Sequence, residues 1–116
     1  ILLSGGDVRS VNNNLTDLSI INYELRSDIP FLLDFWSNFY TTINRTNHVI
    51  EKLPGVSDPR LTDDIRNQLL GEAYFIRALC YFDLARTFGN APIFLTPTKA
   101  VSDKVGIASS TQNELY

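Results

Sequence analysis

Cysteine and histidine are scarce in this sequence, and their scarcity excludes several kinds of site. Cys80 is the single cysteine, so the chain can form neither an internal disulfide nor a zinc site built from several cysteines. His48 is the single histidine, and one histidine without converging partners supports neither catalysis nor metal binding. The glycine-rich phosphate and dinucleotide motifs and the common hydrolase motifs are also missing. We therefore expect no catalytic residue, no metal and no cofactor.

The sequence also lacks a large excess of charge of either sign and lacks long apolar runs. Thirteen acidic residues against ten basic ones give a net charge of -3, which is too little positive charge to bind nucleic acid or an anionic membrane surface. No stretch approaches the ~18 consecutive apolar residues that span a bilayer. The chain starts at Ile1 rather than at a methionine and stops soon after a helix start, so we expect it to be one piece of a longer protein.

The composition that is present fits one folded domain, with 116 residues of which 44% are hydrophobic and 20% charged. Residues 1–30 are polar and show no helical period, and Gly5-Gly6 and Asn12-Asn13-Asn14 favour turns. We predict an irregular lead-in loop over 1–30, with one helical turn around Leu15 to Ile21.

A first helix is predicted over residues 31–53, opened by Pro30 and ended by Pro54-Gly55. Its polar face carries Asp34, Asn38, Arg45 and Lys52. Apolar residues recur at three-and-four spacing and form one stripe, which polar Asn47 interrupts: Leu32, Trp36, Phe39, Ile43, Ile50 and Leu53.

A second helix is predicted over residues 62–88, capped by Thr62 and ended by Gly89-Asn90. It carries two apolar rows, which indicates contact with two neighbours. The main row is Ile65, Leu69, Ala73, Ile76, Cys80, Leu84 and Phe88, and the second is Leu70, Tyr74, Ala78, Tyr81 and Ala85.

Residues 90–110 are predicted to form an extended, proline-bounded segment followed by a loop. Thr111 to Glu114 match a capping box, so a third long helix should follow. The predicted fold is all-α: an antiparallel helix pair of the tetratricopeptide-like (α-α superhelix) type, with an irregular N-terminal loop and a C-terminal extended segment. The spacing of Ala78, Phe82 and Ala85 matches the second helix of such a repeat.

Candidate binding residues are few, and a packing role is the simpler interpretation of most of them. The aromatic residues Trp36, Tyr40, Tyr74 and Tyr81 could stack on sugars, but they lie on or beside apolar stripes. Asp63 and Asp64 point to different sides of a helix, so they serve its dipole rather than one substrate. The glycosylation sequons at Asn14 and Asn44 are interpreted as chance matches. The polar lead-in could present Asp7, Arg9 and Asn12 to Asn14 to a ligand.

Residues 71–93, GEAYFIRALCYFDLARTFGNAPI, resemble the G-E-A-x-F-x-R-A-x-x-Y-F-x-L-x-x-x-x-G-x-x-P signature of the SusD/RagB family. Upstream, Trp36 to Tyr40 and the INRTNHVI segment at 43–50 look like the family's preceding helix, and Gly6-Asp7-Val8 fits its lead-in. Residues 111–116 resemble the start of the next helix. The resemblance therefore covers most of the chain.

The resemblance implies a non-catalytic outer-membrane lipoprotein that captures glycans or peptides and delivers them to a SusC-type TonB-dependent transporter. It implies membrane attachment only through an N-terminal lipid anchor, which this chain does not contain, and an N-terminal portion of a longer protein. Ligand-contact residues cannot be transferred onto this chain. The alternative is an intracellular tetratricopeptide-like adaptor for protein partners, which the Ala78, Phe82 and Ala85 spacing would also suit.

Overall fold

The computed structural model describes residues 30–100 and 107–116, and these ranges are helical without a strand. Helix α1 spans Pro30–Lys52 and continues into a 3-10 turn at Leu53–Gly55; α2 spans Asp63–Phe88, and the short α3 spans Gln112–Leu115. An isolated antiparallel bridge joins Ala91 to Ser110. The all-α prediction is confirmed, and α1 and α2 match the predicted bounds to within one residue. The lead-in loop was predicted over residues 1–30, and positions 1–29 lie outside the described residues.

The chain divides into two units between Ser37 and Asn38, within α1. In the described part of the first unit, the rings of Phe31 and Phe35 lie 6.3 Å apart, one helical turn from each other. The predicted stripe of α1 is confirmed, because none of its members is exposed and Ile43 is 1% exposed. Asn47, the polar residue within that stripe, is also 1% exposed.

The second unit contains an antiparallel pair formed by α2 and the remainder of α1. The guanidinium group of Arg66, near the start of α2, donates to the carbonyls of Leu53, Pro54 and Val56, in and directly after the 3-10 turn that follows α1. Eleven residues later Arg77 donates to Asn47, which lies earlier on α1. The two helices therefore run in opposite directions, and Arg66 places a cation against carbonyls at the negative end of the α1 dipole.

The ends of α2 follow from local chemistry that the sequence predicts. The Thr62 hydroxyl accepts the backbone N–H of Ile65 at 3.3 Å, which satisfies one of the free donors at the helix start. At the other end Gly89 has a φ of +77°, a left-handed conformation that disfavours other residues, and its N–H donates to the carbonyl of Ala85.

The face that α2 buries differs from the prediction. The expected main row is open to solvent at three positions, since Ile65 is 44% exposed, Leu69 38% and Ile76 42%. The buried side of the helix falls between the two predicted rows because it includes two arginines whose charged groups bind carbonyl oxygens. Its buried or half-buried members are Arg66, Leu70, Ala73, Arg77, Cys80, Tyr81, Leu84, Ala85 and Phe88.

The tetratricopeptide-like spacing is realised at only one of its three positions in the described chain. Ala85 is fully buried, whereas Ala78 is exposed and Phe82 is 46% exposed. Ala78 therefore lies outside the buried contact between α1 and α2.

Helix α3 starts at the predicted capping residues. The carboxylate of Glu114 accepts the backbone N–H of Thr111 at 2.7 Å and the Thr111 hydroxyl at 2.9 Å. These bonds hold the pKa of Glu114 below its usual value. Leu115 is 8% exposed, and the Gln112 side chain donates to the carbonyl of Ala85 on α2.

Candidate functional site

The segment after α2 crosses the helix pair and is held there by side chains. We call residues 91–98 the strap. Tyr40 on α1 donates its hydroxyl to the carbonyl of Pro92 at 2.7 Å, and its ring meets that of Phe94 edge to face with centroids 5.7 Å apart. Within the described ranges, the strap backbone pairs with another segment only at the bridge of Ala91 to Ser110. Side chains of α1 and α2 take the place of strand partners for the strap backbone.

Asn47 is the centre of this arrangement. Its amide nitrogen donates to the carbonyls of Phe94, at 2.8 Å, and Thr96, at 3.2 Å. Its amide oxygen accepts Arg77 Nη1 at 2.8 Å. All three contacts connect different parts of the chain, so one buried amide joins α1, α2 and the strap.

Tyr81 and Arg77 hold the strap from α2. The Tyr81 hydroxyl accepts the backbone N–H of Phe94 at 2.6 Å and donates to the carbonyl of the same residue at 3.0 Å. Arg77 Nη1 also donates to the carbonyl of Leu95 at 3.3 Å. The backbone of Phe94 is therefore bonded at both its donor and its acceptor.

Asn44 completes the set at the far end of the strap, where its side-chain oxygen accepts the N–H of Thr98 at 2.8 Å. We call Tyr40, Asn44, Asn47, Arg77 and Tyr81 the clamp. Burial raises the pKa of Tyr40, and burial also raises the pKa of Tyr81, against the lowering effect of the Phe94 N–H and of Arg77. The phenols therefore stay protonated and can donate to the strap at neutral pH.

Two surface grooves border the clamp. The strap groove has a volume of about 460 Å³ and is lined mainly by the strap, with Glu51 and Lys99 at its edges. The aromatic groove, about 570 Å³, lies along α2 and is lined by the following residues: Tyr74, Phe75, Arg77, Ala78, Leu79, Tyr81, Phe82, Leu115 and Tyr116. Neither groove gathers a cluster of three or more metal-ligating side chains among the residues that the structure describes.

The four aromatic residues that could stack on sugars occupy different environments in the structure. Tyr40 and Tyr81 are clamp residues, so the packing interpretation is confirmed for them. Trp36 is half-buried on α1. Tyr74, in contrast, is 50% exposed, and the guanidinium group of Arg77 lies 5.2 Å from the centre of its ring. The packing interpretation stays a prediction for Tyr74, because half of its surface is open among the described residues.

Of the remaining candidates, only Asn44 belongs to the clamp among the residues that the structure describes. His48 is half-buried on α1, and Asp63 and Asp64 are exposed in the first turn of α2. Asn44, the second sequon asparagine, lies inside a helix and binds the strap. The lead-in candidates Asp7, Arg9 and Asn12 to Asn14, and the sequon at Asn14, lie outside the described residues.

The sequence alone did not identify Asn44, Asn47 and Arg77 as residues that hold the strap. Asn47 carried a visible signal, since it interrupts an otherwise apolar stripe, and a buried amide requires hydrogen-bond partners. Asn44 and Arg77 had no such signal beyond their places in the motifs.

Neither long helix in the part of the chain that the structure describes is apolar enough over a sufficient length to cross a membrane.

Comparison with known proteins agrees with the motifs. A family model described as "Starch-binding associating with outer membrane", SusD-like_3, matches residues 5–116. The chain is similar to three curated proteins of Formosa agariphila. It is 37% identical to SusD-like protein P38 over 93 residues, which are 80% of this chain and 15% of that protein.

The second of these relatives, SusD-like protein P2, is 26% identical over 118 residues, which cover 99% of this chain and 23% of the relative. SusD-like protein P25 is 25% identical over 88 residues, which cover 76% of this chain and 15% of that relative. The chain thus spans less than a quarter of the length of the curated relatives that it matches. No solved structure matches it.

Proposed function

This chain belongs to the SusD-like family of starch-binding proteins associated with the outer membrane, and from that membership we propose that its protein binds glycans there without chemically altering them. The observation that carries the proposal is the match of the family model over residues 5–116. The three relatives support it, because all three are named SusD-like proteins.

The described residues contribute a scaffold to this function. The clamp uses the polar atoms of five side chains to hold main-chain groups of the strap, so these atoms are already bonded inside the protein. A glycan site needs polar groups that are free to bind sugar hydroxyls. We therefore assign glycan contacts to residues other than the clamp, and the polar lead-in with Asp7 and Arg9 stays a prediction for them.

We further propose delivery of the bound glycan to a SusC-type TonB-dependent transporter, and attachment to the outer membrane by an N-terminal lipid. These steps rest on the family resemblance. A peptide ligand in place of a glycan is the variant of this function that the resemblance also allows. The family match favours nutrient binding at the outer membrane over the intracellular adaptor that the spacing of Ala78, Phe82 and Ala85 suggested.

Affinity electrophoresis tests glycan binding. The intact protein is run through native gels with and without soluble starch and a panel of other polysaccharides, next to a protein that binds none of them. We expect retardation in at least one glycan gel. The Arg60→Gln variant is a matched control, since Arg60 is exposed and pairs only with Asp58 among described residues, and it should migrate like the wild type.

A negative result in every gel, together with no heat of binding to oligopeptides, would refute nutrient binding. Delivery is tested separately by purifying the tagged intact protein from its native outer membrane. A SusC-type transporter should copurify with it in mild detergent, and its absence would count against delivery while leaving glycan binding intact.

A further inference from the structure

The main chain of the strap is held mainly along one side. The clamp binds main-chain groups of four alternate residues, Pro92, Phe94, Thr96 and Thr98. Successive residues of an extended chain direct their main-chain groups to opposite sides, so the N–H and the carbonyl of Ile93 face away from the clamp. Among the described residues these two groups have no hydrogen-bond partner. The strap therefore keeps a donor and an acceptor that its own fold does not use.

The strap groove lies between the strap and the chain that leads to Ser110. Ala91 pairs with Ser110 at one end, and Ile107, three residues before Ser110, lines the groove together with the strap. Only this one bridge joins the two segments within the described ranges. The volume of about 460 Å³ falls within the roughly 300 to 1,000 Å³ of small-molecule sites.

Three side chains add polar groups to the lining of the strap groove. Glu51 and Thr96 are exposed, and Thr98 is half-buried. In the part of the chain that the structure describes, neither the Glu51 carboxylate nor the two hydroxyls form a hydrogen bond or an ion pair. Apolar surface lies beside them, since Leu95 is 60% exposed and Ile107 44%. A few free polar groups on an otherwise apolar surface are what a sugar requires, because they can bind its hydroxyls while its ring carbons contact the apolar part.

The groove suits a sugar better than an extended peptide. A peptide that adds to a strand edge needs a continuous row of free main-chain groups. Here that row is broken, because the carbonyl of Leu95 accepts Arg77 and Pro97 has no N–H. The remaining polar groups belong mostly to separate side chains, which can each meet one hydroxyl of a sugar.

We propose that the strap groove is a subsite for one or two units of an uncharged saccharide, with the Glu51 carboxylate and the Thr96 and Thr98 hydroxyls as its hydrogen-bonding groups. The inference rests on the proposed glycan binding and gives it a place in this chain. An uncharged sugar is favoured because the lining includes one acid and one base, Glu51 and Lys99, and so has no excess charge that would attract an ionised polysaccharide. The clamp fixes the strap, so the groove is formed before the sugar binds.

Calorimetry and native gels of the intact protein test the subsite. The probes are soluble starch, dextran and galactomannan, which are uncharged, and alginate, which is anionic. Glu51→Gln and Thr96→Val keep the shape of each side chain and remove its charge or its hydroxyl. Their matched controls are Asp34→Asn and Thr41→Val, the same changes at exposed positions of α1 outside the groove.

We expect Glu51→Gln to weaken the binding of an uncharged polysaccharide about tenfold and Thr96→Val about threefold, with both controls unchanged. Wild-type affinity in both groove variants would overturn the subsite and leave the proposed glycan binding standing. Failure of the wild type to bind any polysaccharide would refute both. Binding of alginate alone would overturn the assignment of an uncharged sugar.

Thiol labelling gives a local measurement that does not depend on these variants. A cysteine is introduced as Leu95→Cys in the groove and as Arg45→Cys on the exposed face of α1, and Cys80 contributes little background because it is buried and burial raises the pKa of its thiol. We expect saturating uncharged polysaccharide to slow the reaction of Leu95→Cys with a maleimide at least about fivefold and to leave Arg45→Cys unchanged. No protection by a polysaccharide that binds, or a Leu95→Cys thiol that is already unreactive without it, would overturn the proposal.

Discussion

Replacing Asn47 by leucine removes the central residue of the clamp while keeping the volume of the side chain. The substitution deletes three hydrogen bonds, two to strap carbonyls and one from Arg77. Phe94 keeps Tyr81 as a partner, but the carbonyl of Thr96 and part of the Arg77 guanidinium group lose theirs at a position that is 1% exposed. At about 1 kcal/mol for each bond, the free energy of unfolding should fall by about 3 kcal/mol.

Urea denaturation of the intact protein, followed by circular dichroism, measures this loss. The matched control is Asn38→Leu, the same change on the exposed face of α1, which should shift the free energy by less than about 0.5 kcal/mol. A double-mutant cycle with Arg77→Met then isolates the contact between the two side chains, and we expect a coupling energy of about 1 to 2 kcal/mol. If Asn47→Leu proves as stable as the control, the clamp does not hold the strap and the reasoning fails.

Three further predictions follow from the same contacts. Arg66→Met removes the cation bound to the carbonyls that follow α1. The change should lower the free energy of unfolding by about 1 to 2 kcal/mol in urea melts. Arg60→Met should leave it unchanged, and equal effects would contradict the capping role. The pKa values of Tyr40 and Tyr81 are raised in the folded protein, so the stability that these residues contribute is complete below the unfolded pKa of about 10 and is lost as pH rises through the folded values. The absorbance change of the two phenols at 295 nm should therefore coincide with alkaline unfolding. Ionisation of both phenols in folded protein would be inconsistent with their burial. Cys80 should react with a thiol reagent at neutral pH only after unfolding, and fast native reaction would show that it is accessible.

The helices could be predicted closely because local chemistry determines their ends. Thr62 supplies an oxygen to free N–H groups, Gly89 takes a left-handed conformation, and Pro54 cannot continue an α-helix, so each is recognisable without knowledge of the fold. The stripe of α1 was recognisable for a similar reason, since its apolar residues repeat at helical spacing.

The buried face of α2 could not be predicted from hydrophobicity, because Arg66 and Arg77 lie in it. Each arginine is acceptable there only because carbonyl or amide oxygens meet it, and those oxygens belong to residues 10 to 30 positions away in the sequence. A periodicity argument treats arginine as a surface residue and therefore rotates the helix toward its aliphatic rows. The same limit applies to Asn47, whose burial was suggested by its place in the stripe but whose partners, Phe94 and Thr96, were not.

Four positions of the family signature take part in the contacts of the clamp or end α2. In the 71–93 signature, Arg77 joins Asn47 to the strap, Tyr81 binds both polar groups of Phe94, Gly89 turns the chain, and Pro92 offers its carbonyl to Tyr40. Each of these roles is internal to the protein, so the signature specifies how the strap is held rather than what is bound. These positions therefore help to identify the family from this chain without indicating a particular ligand.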